Sequence, residues 1–416
     1  MDKKVVIVGA GIVGLSTAYY LNKAGVDVTI IDSTDGKDNC SYGNAGYISP
    51  SHIIPLASPG IISQGLKWML NKSSPFYIKP KLSQDLLKWG WLFKKAATDK
   101  RVKAAIPLLY DLTTQSQKLY EEILREETIE AGYHKPGLLM VCQTKEALKH
   151  EVELVEIANQ YGLEASQLSK EETERMDPNV HYNMAGSVYF GCDGWMTPNA
   201  FMEQFKSLLV NNGVKIDFKT ELQAIETKGN KISGFVTDKK NYQADEFVIA
   251  AGSWSPLLMK HLKIDLPLQA GKGYSFTIEN PPTMPKLPSI LVEARVATTP
   301  MLHGFRVAGT MEISGINHEV NPARVQGIID SVKEAMPEFQ NYGFDTIKPW
   351  AGLRPCTPDG LPYIGRPRSI DNLLVGTGHA MLGWTLGPIT GMLLTQYITG
   401  QSLDIESNLL NVERYN

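Results

Sequence analysis

The chain has little of what several large classes of protein require. Among its 416 residues there are only four cysteines, Cys40, Cys142, Cys192 and Cys356. They are widely spaced, form no CxxC and have no histidine at metal-ligand spacing, which argues against a disulfide framework and a bound metal and fits a reducing compartment. Neither sign of charge dominates: 41 Lys and Arg stand against 44 Asp and Glu, a formal net charge of -3. A nucleic-acid binder needs a basic stripe to neutralise phosphates, so no nucleic-acid partner is expected. Long apolar runs are also missing. No window reaches the roughly 18 uninterrupted apolar residues of a membrane span, which leaves only peripheral membrane contact open. The opening stretch "MDKKVVIVGAGIVGL" has lysines before an apolar run but no clean small-residue cleavage site after it, so it reads as structure and not as a leader. With 43% hydrophobic and 20% charged residues the chain is globular. Its length suits two or three domains of roughly 100–200 residues each.

What is present begins with glycines in particular places. "KKVVIVGAGIVGLSTAYYLNKAGVDVTIID" reads as strand, tight turn, helix, second strand. The β-branched run Val5 to Val8 is a buried parallel strand, and Leu15, Ala18 and Tyr19 carry a helix that stops at Gly25. Gly9, Gly11 and Gly14 form GxGxxG, a weak signal alone. Here it follows a strand and opens a helix, and Asp32 stands 18 residues beyond Gly14 at the end of the next strand, where a carboxylate takes a ribose diol. A pyrophosphate would sit at the helix N-terminus beside Ile12 and Val13, where free N–H groups and the dipole favour negative charge. Ser33, with no arginine nearby, makes NADP the least favoured dinucleotide. "FVIAAGSWS" (Phe247–Ser255) and "LLVGTGHAMLGWTLGP" (Leu373–Pro388) add two more turns of small residues. Three such turns suit a long cofactor threaded through a domain, which favours FAD over NAD.

Elsewhere the pattern is coarser. Helical character runs from Pro59 to about Ile129, and "HKPGLLMVCQT" reads as a strand. In "GWMTPNAFMEQFKSLLVNNG" Thr197 can cap a helix with Pro198 in its first turn, Phe201, Phe205, Leu208 and Leu209 on one face and Gly213 at its end. "VKIDF", "LQAIET" and "KISGFVTD" are short strands, the last two joined by the turn "KGNK"; Leu266 to Met336 is β-rich, then helical. The stretch "SYGNAGYISPSHIIPLASPG", Ser41–Gly60, has neither helical nor strand period.

Taken in order, GxGxxG with Asp32, "GNAGYISPSHIIPLASPG", "VIAAGSWS", "KGYSFT", "WAGLRPCTPDGLPYIG" and "GTGHAMLGWTLGP" resemble the D-amino-acid oxidase and dehydrogenase family of flavoproteins, nearest its bacterial dehydrogenase branch. The resemblance covers nearly the whole chain. It implies a mixed α/β and α+β fold, as in D-amino-acid oxidase and glycine oxidase: a discontinuous Rossmann-like FAD-binding domain (1–78, 193–262 and 346–405) and a β-rich substrate domain (79–192 and 263–345). It implies non-covalent FAD held by Gly9, Gly11, Ile12, Val13, Gly14, Asp32 and Ser33, by Leu222, Ala250, Ala251, Gly252 and Trp254, and by Gly378, His379, Leu382, Gly383 and Thr385. Asn44, Ala45 and Gly46 would lie along the isoalloxazine, with His52 and Tyr47 bordering the substrate.

Arg354 of "GLRP" is the expected carboxylate anchor, with His52 and Tyr274 as further catalytic candidates. Where some glycine oxidases carry an arginine after the late Gly–His pair, this chain has Met381. Cys356 lies beyond the position of the flavinylating cysteine in sarcosine oxidases, so it reads as a buried thiol.

The implied reaction is oxidative deamination of a D-amino acid, with D-proline or a D-hydroxyproline among the candidates, to an imino or 2-oxo acid. Hydride passes to flavin N5 and electrons go on to a quinone or an electron-transfer partner. The implied location is cytoplasmic or peripheral on the inner face of the cell membrane. Two rivals stay open: an oxidase of glycine, sarcosine or D-amino acids that uses oxygen, and a non-catalytic flavin-binding subunit. Trp89, Trp91, Leu92 and Phe93 with Lys88, Lys94 and Lys95 are either helix packing or a membrane-surface patch.

Overall fold

The computed structural model describes residues 3–63, 65, 74–80 and 83–415. Lys4–Val8 and Asp27–Asp32 pair in parallel, Val6 opposite Thr29 and Val8 opposite Ile31. Helix α1, Ile12–Lys23, crosses between them and stops at Gly25, whose φ of +75° suits a residue without a Cβ. These strands sit inside a six-stranded sheet in the order Tyr363–Gly365, Leu373–Thr377, Glu246–Ile249, Lys4–Val8, Asp27–Asp32, Lys215–Phe218. Only the Tyr363–Gly365 edge strand is antiparallel. Both faces are covered, which is why the central strands read as continuous apolar runs. The chain leaves Lys4–Val8 for a neighbour on one side and later adds Glu246–Ile249 on the other. The carboxyl ends of these strands therefore border a crevice, the place where open α/β sheets bind ligands.

A second sheet of nine strands follows a different logic. Trp350–Cys356, Gln269–Ile278, Gly304–Ile313, Val296–Met301, Ser289–Leu291, Leu138–Cys142, Gly186–Phe190 and Ala165–Leu168 lie side by side, and Phe76–Ile78 pairs with Gly304–Ile313 off this path. One face buries Tyr274, Phe276, Phe305 and Val307 against Val325, Ile328 and Val332 of the Pro322–Ala335 helix. A small sheet, Leu222–Lys228, Lys231–Thr237 and Asn241–Tyr242, completes the β structure, its hairpin turning at Gly229 with φ +63°.

Four more helices matter for the site. α2 is Gln84–Ala96 and α3 is Asp99–Glu126. α4, Pro198–Asn211, buries Phe201, Phe205 and Leu209 and has Pro198 in its first turn, as the sequence predicts. Thr197 does not cap it through its side chain; the hydroxyl instead accepts the Leu302 N–H at 3.1 Å and ties a hairpin to the helix start. α5, Gly387–Thr399, is buried nearly all round and packs against α1 and α3.

The six-stranded sheet is assembled from segments far apart in the chain, and three elements lie with other neighbours than the sequence division gave them. Phe76–Ile78 and Trp350–Cys356, assigned by sequence to the FAD-binding half, are strands of the nine-stranded sheet. α3, assigned to the substrate half, packs on α5, where the Tyr120 hydroxyl donates to Trp384 O at 2.7 Å. A buried strand or amphipathic helix announces a partner without naming it, so composition could not place these three. Of the helical stretch expected from Pro59, residues 64, 66–73, 81 and 82 lie outside the described residues.

Candidate flavin and substrate site

The turn after the first strand is built for close approach. A Cβ at Gly9 (φ +109°) would lie 2.5 Å from Ala250 O, and one at Gly14 would lie 1.9 Å from Gly9 O. Gly11 is the N-cap of α1 and offers no side-chain cap, and no acidic residue stands in the first turn. Ile12 N–H donates to Ser41 Oγ at 3.0 Å. A cradle of small residues at a helix N-terminus with no acid in its first turn fits a pyrophosphate.

Asp32 already works within the protein. Its Oδ2 accepts the Ala10 N–H at 2.7 Å, and its Oδ1 accepts the Thr34 amide at 2.8 Å and hydroxyl at 2.6 Å. A carboxylate has about four lone-pair sites and three are taken, so one ribose hydroxyl can still be received. Asp32→Ala is expected to weaken FAD retention by about 1–3 kcal/mol, the cost of unpaired buried groups. Flavin titration of the apoprotein measures this; a variant with undiminished affinity would remove the ribose role. Ser33 is exposed beside it. Leu222 is buried with Val6, Val8 and Ile31.

The Ser41–Gly60 stretch runs across the nine-stranded sheet, held mainly by its backbone. Ser275 Oγ donates to Gly43 O at 2.9 Å, and Thr299 Oγ1 to Ala45 O at 2.7 Å. Arg306 Nη1 donates to both Tyr42 O and Asn44 O, at 2.7 and 2.9 Å. Tyr47 Oη donates to Ser289 O and Thr298 O. The Asn44 side chain accepts the Gly46 N–H at 2.8 Å, and a Cβ at Gly46 (φ +82°) would lie 2.2 Å from Met196 O. Arg306 has no acidic partner among the described residues, and burial pushes its pKa down to about 10. Nothing in "HGFRVAGT" marks it, because its role is to collect carbonyls of a loop distant in sequence. Thr385 Oγ1 closes the other side, donating to Tyr47 O at 3.1 Å. Ser49 Oγ stands in the cavity wall, buried and without a partner among the described residues, as a group that meets a cofactor or substrate atom would.

The remaining expected cofactor residues gather at the same crevice or just behind it. Ala250 N–H donates to Val8 O at 2.8 Å, Ala251 follows it, and Gly252 (φ +51°) accepts Thr377 Oγ1 at 2.9 Å. Gly378 takes φ +84° where a Cβ would meet Thr357 Cγ2 at 2.5 Å, and Gly383 packs near the His379 Cβ. Leu382 and Thr385 line the cavity. Two side chains point elsewhere. Trp254 stacks on His318 with ring centroids 5.8 Å apart. His379 pairs through Nε2 with Thr390 Oγ1 at 2.9 Å, and burial pushes its pKa down to about 3, so it is a neutral brace between the turn and α5.

Between this loop and the sheet lies a cavity of about 660 Å³ with Arg354 in its wall. Arg354 stands opposite Gly271, and Gly352 opposite Gly273, on antiparallel neighbours. A Cβ at Gly273 would lie 2.1 Å from Arg354 Nη1, so the guanidinium rests on a glycine floor. Nη1 donates to Thr310 O at 2.7 Å. Thr310 has φ +68° in a bulge that sets Tyr274 opposite Gly309, strain of the kind concentrated at functional sites. No carboxylate pairs with Arg354 among the described residues. Burial lowers its pKa, yet a guanidinium stays charged. A partly buried cation with unused donors is a receptor for an anion, and its planar fork suits a carboxylate.

His52 lines the same cavity. Its Nδ1 lies 3.0 Å from Ser51 Oγ and 3.9 Å from Asp193 Oδ2. Asp193 is 1% exposed and accepts both the Ser51 amide and hydroxyl. Burial pushes the Asp193 carboxyl up and the His52 imidazole down, the latter opposed by Asp193 and reinforced by Arg295. Nothing along the chain marks Asp193; a lone aspartate after "FGC" has no spacing to report. Tyr274 is also among the residues around the cavity, but its side chain turns to the far side of the sheet. Alternate residues of a strand face opposite ways, so with Gly273 beneath Arg354 the Tyr274 side chain enters the other core, where its hydroxyl donates to Glu312 at 2.9 Å. Cys356 is buried with its thiol pushed up to about 11 by burial, a protonated and inert state. Among the described residues no His, Cys, Asp and Glu cluster could hold a metal.

Comparison with known proteins agrees with this geometry. The family described as DAO, FAD dependent oxidoreductase, matches residues 4–397. A D-amino acid dehydrogenase of Bradyrhizobium diazoefficiens is 33% identical over 420 residues, 99% of each chain. One of Vibrio vulnificus is 32% identical over 412 residues, 98% of each chain. Among solved structures, glycine oxidase from Geobacillus kaustophilus superposes with a TM-score of 0.80 at 20% identity over 100% of both chains, a likeness of fold. The chain belongs to the DAO family of FAD-dependent oxidoreductases.

Proposed function

We propose that the chain is a D-amino-acid dehydrogenase that converts its substrate to an imino acid, which water then hydrolyses to a 2-oxo acid and ammonia. The observation that carries this reading is Arg354: a cation without a carboxylate partner among the described residues, lying on a glycine floor beside the loop suited to a flavin ring. FAD, when bound, supplies the two-electron acceptor that takes the α-hydrogen as hydride. Gly9, Gly11, Gly14, Asp32 and Ala250 would hold its diphosphate and ribose side, and Asn44, Ala45, Gly46, Leu382 and Thr385 its ring side. Arg354 binds and orients the carboxylate, so positioning carries much of the rate. The amino group must be neutral before the α-hydrogen leaves with its electron pair. His52, its imidazole pKa pushed down by burial and its ring backed by Ser51 and Asp193, is a wall residue that can accept that proton.

The electrons then pass to a quinone or a protein of a respiratory chain. α2 supports contact with a membrane surface: Leu87 is 65% and Trp91 56% exposed, and the Lys95 ammonium lies 3.4 Å from the Trp91 ring centroid. Trp89 and Leu92 of the same helix are buried. No helix among the described residues is long and apolar enough to cross a membrane. We place the protein in the cytoplasm, resting on the inner membrane face.

The test is turnover of D-amino acids by the isolated holoprotein with a dye acceptor in air, with peroxide measured in the same assay. Dye reduction should far outpace peroxide formation. Peroxide at a rate matching the dye would make the protein an oxidase, and no turnover with either acceptor would leave it a flavin-binding subunit.

A further inference from the structure

Gly90 lies in the middle of α2, where glycine is destabilising relative to alanine. Its φ is not positive, the residue is exposed, and among the described residues a Cβ built there meets nothing within 4 Å. Neither backbone conformation nor packing therefore calls for a residue without a side chain. Gly90 does line the same cavity as Arg354. Phe93 and Lys94, three and four residues on, line it too, so this face of α2 forms one wall. The wall is fastened to the anchor strand, because Trp89 Nε1 donates to Cys356 O at 2.9 Å, two residues beyond Arg354. Trp89 stacks on Phe93 with centroids 5.0 Å apart, and both pack in one apolar cluster with Phe76, Met311 and Cys356. Met311 directly follows Thr310, whose carbonyl holds the guanidinium. A substrate anchored at Arg354 thus has apolar surface in the same cavity and, among the described residues, open space at Gly90.

We infer that Gly90 is a specificity-determining residue: it leaves room in an apolar pocket for the side chain of a large hydrophobic D-amino acid. This rests on the D-amino-acid reading above. On the α2 wall the lining is apolar apart from the exposed Lys94; the cavity's buried carboxylate, Glu151, belongs to the Lys145–Gln160 helix. Filling the space should penalise a substrate in proportion to its bulk and spare a small one.

The test compares wild type, Gly90→Ala and Gly90→Phe as holoproteins. kcat/KM is measured with a dye acceptor for D-alanine and D-phenylalanine, and Kd for acetate and 3-phenylpropionate by perturbation of the flavin spectrum. Gly90→Phe should lose about tenfold or more in kcat/KM for D-phenylalanine and in affinity for 3-phenylpropionate, the scale at which pocket sterics discriminate, with D-alanine and acetate nearly unchanged. Gly90→Ala should keep both substrates and melt at a higher temperature, since nothing obstructs its methyl group. Equal losses for small and large ligands, or no loss for either, would overturn the inference. Failure of every D-amino acid to reduce the wild-type flavin would overturn the activity instead, and the carboxylate affinities would still report on Gly90.

Discussion

Arg354→Ala is expected to lose roughly two to three and a half decades in kcat/KM for a D-amino acid while its flavin spectrum stays intact. The figure follows from the geometry. The guanidinium has one protein acceptor, Thr310 O, and no acidic partner among the described residues. On the proposed function, a substrate carboxylate supplies its counter-charge. Removing one side of a desolvated, bidentate pair costs about 3–5 kcal/mol, because the other charge is left uncompensated. Arg354→Lys should recover only part, since an ammonium restores the charge without the fork. The reductive half-reaction, followed with an amino acid and with its decarboxylated amine, separates the roles. Losses confined to the amino acid identify a carboxylate anchor; equal losses on both, or loss of flavin, would assign Arg354 to the scaffold.

The second large effect is expected behind the site, on the opposite face of the same strands. Lys272 Nζ and Glu312 Oε1 lie 3.2 Å apart, their side chains 3% and 7% exposed. The ammonium also reaches Asn317 Oδ1 and Glu319 O, while the Tyr274 hydroxyl donates to Glu312. Lys272→Met leaves the carboxylate buried without its cation and should cost about 3–5 kcal/mol of stability, read from denaturant unfolding of the apoprotein. Replacing Glu312 by Leu in the same chain should recover most of it, because both charges then leave together. A single variant as stable as wild type would show that the pair contributes nothing.

The pH dependence has a fixed sign. Burial pushes the Glu312 carboxyl up, but hydrogen bonds from Ser314, Tyr274 and Lys272 and the ammonium's charge outweigh it, so its pKa is lowered from 4.5. Its contribution is therefore present above 4.5 and lost as pH falls through the depressed value. Lys272→Met should flatten acid unfolding over that range.

Much of this was legible in the sequence where a local pattern and its chemistry coincide. The glycine turn, α1 and Asp32 follow from spacing, because a phosphate cradle needs small residues within one turn of a helix start. α4 follows from its apolar period and Pro198. Arg354 was reached by resemblance of "GLRP", and its glycine floor became visible only with the register of Gln269–Ile278 against Trp350–Cys356. Tyr274 shows the limit: a strand fixes that neighbours face opposite ways, but not which face meets the cavity. Arg306, Ser49 and Asp193 were invisible for another reason. Each works on groups brought near by sheet order, and no spacing along the chain encodes the contact between Arg306 and the carbonyls of Tyr42 and Asn44. The four-residue Ala165–Leu168 edge strand is too short and too polar to announce itself.

The most direct test is anaerobic mixing of the purified flavoprotein with the D- and L-enantiomers of one hydrophobic amino acid, watching the flavin absorbance. The D-enantiomer should bleach the flavin fully and leave its 2-oxo acid in solution, and the L-enantiomer should leave the spectrum oxidised. Bleaching by the L-enantiomer, or by neither across a set of amino acids, would contradict D-amino-acid oxidation at this site.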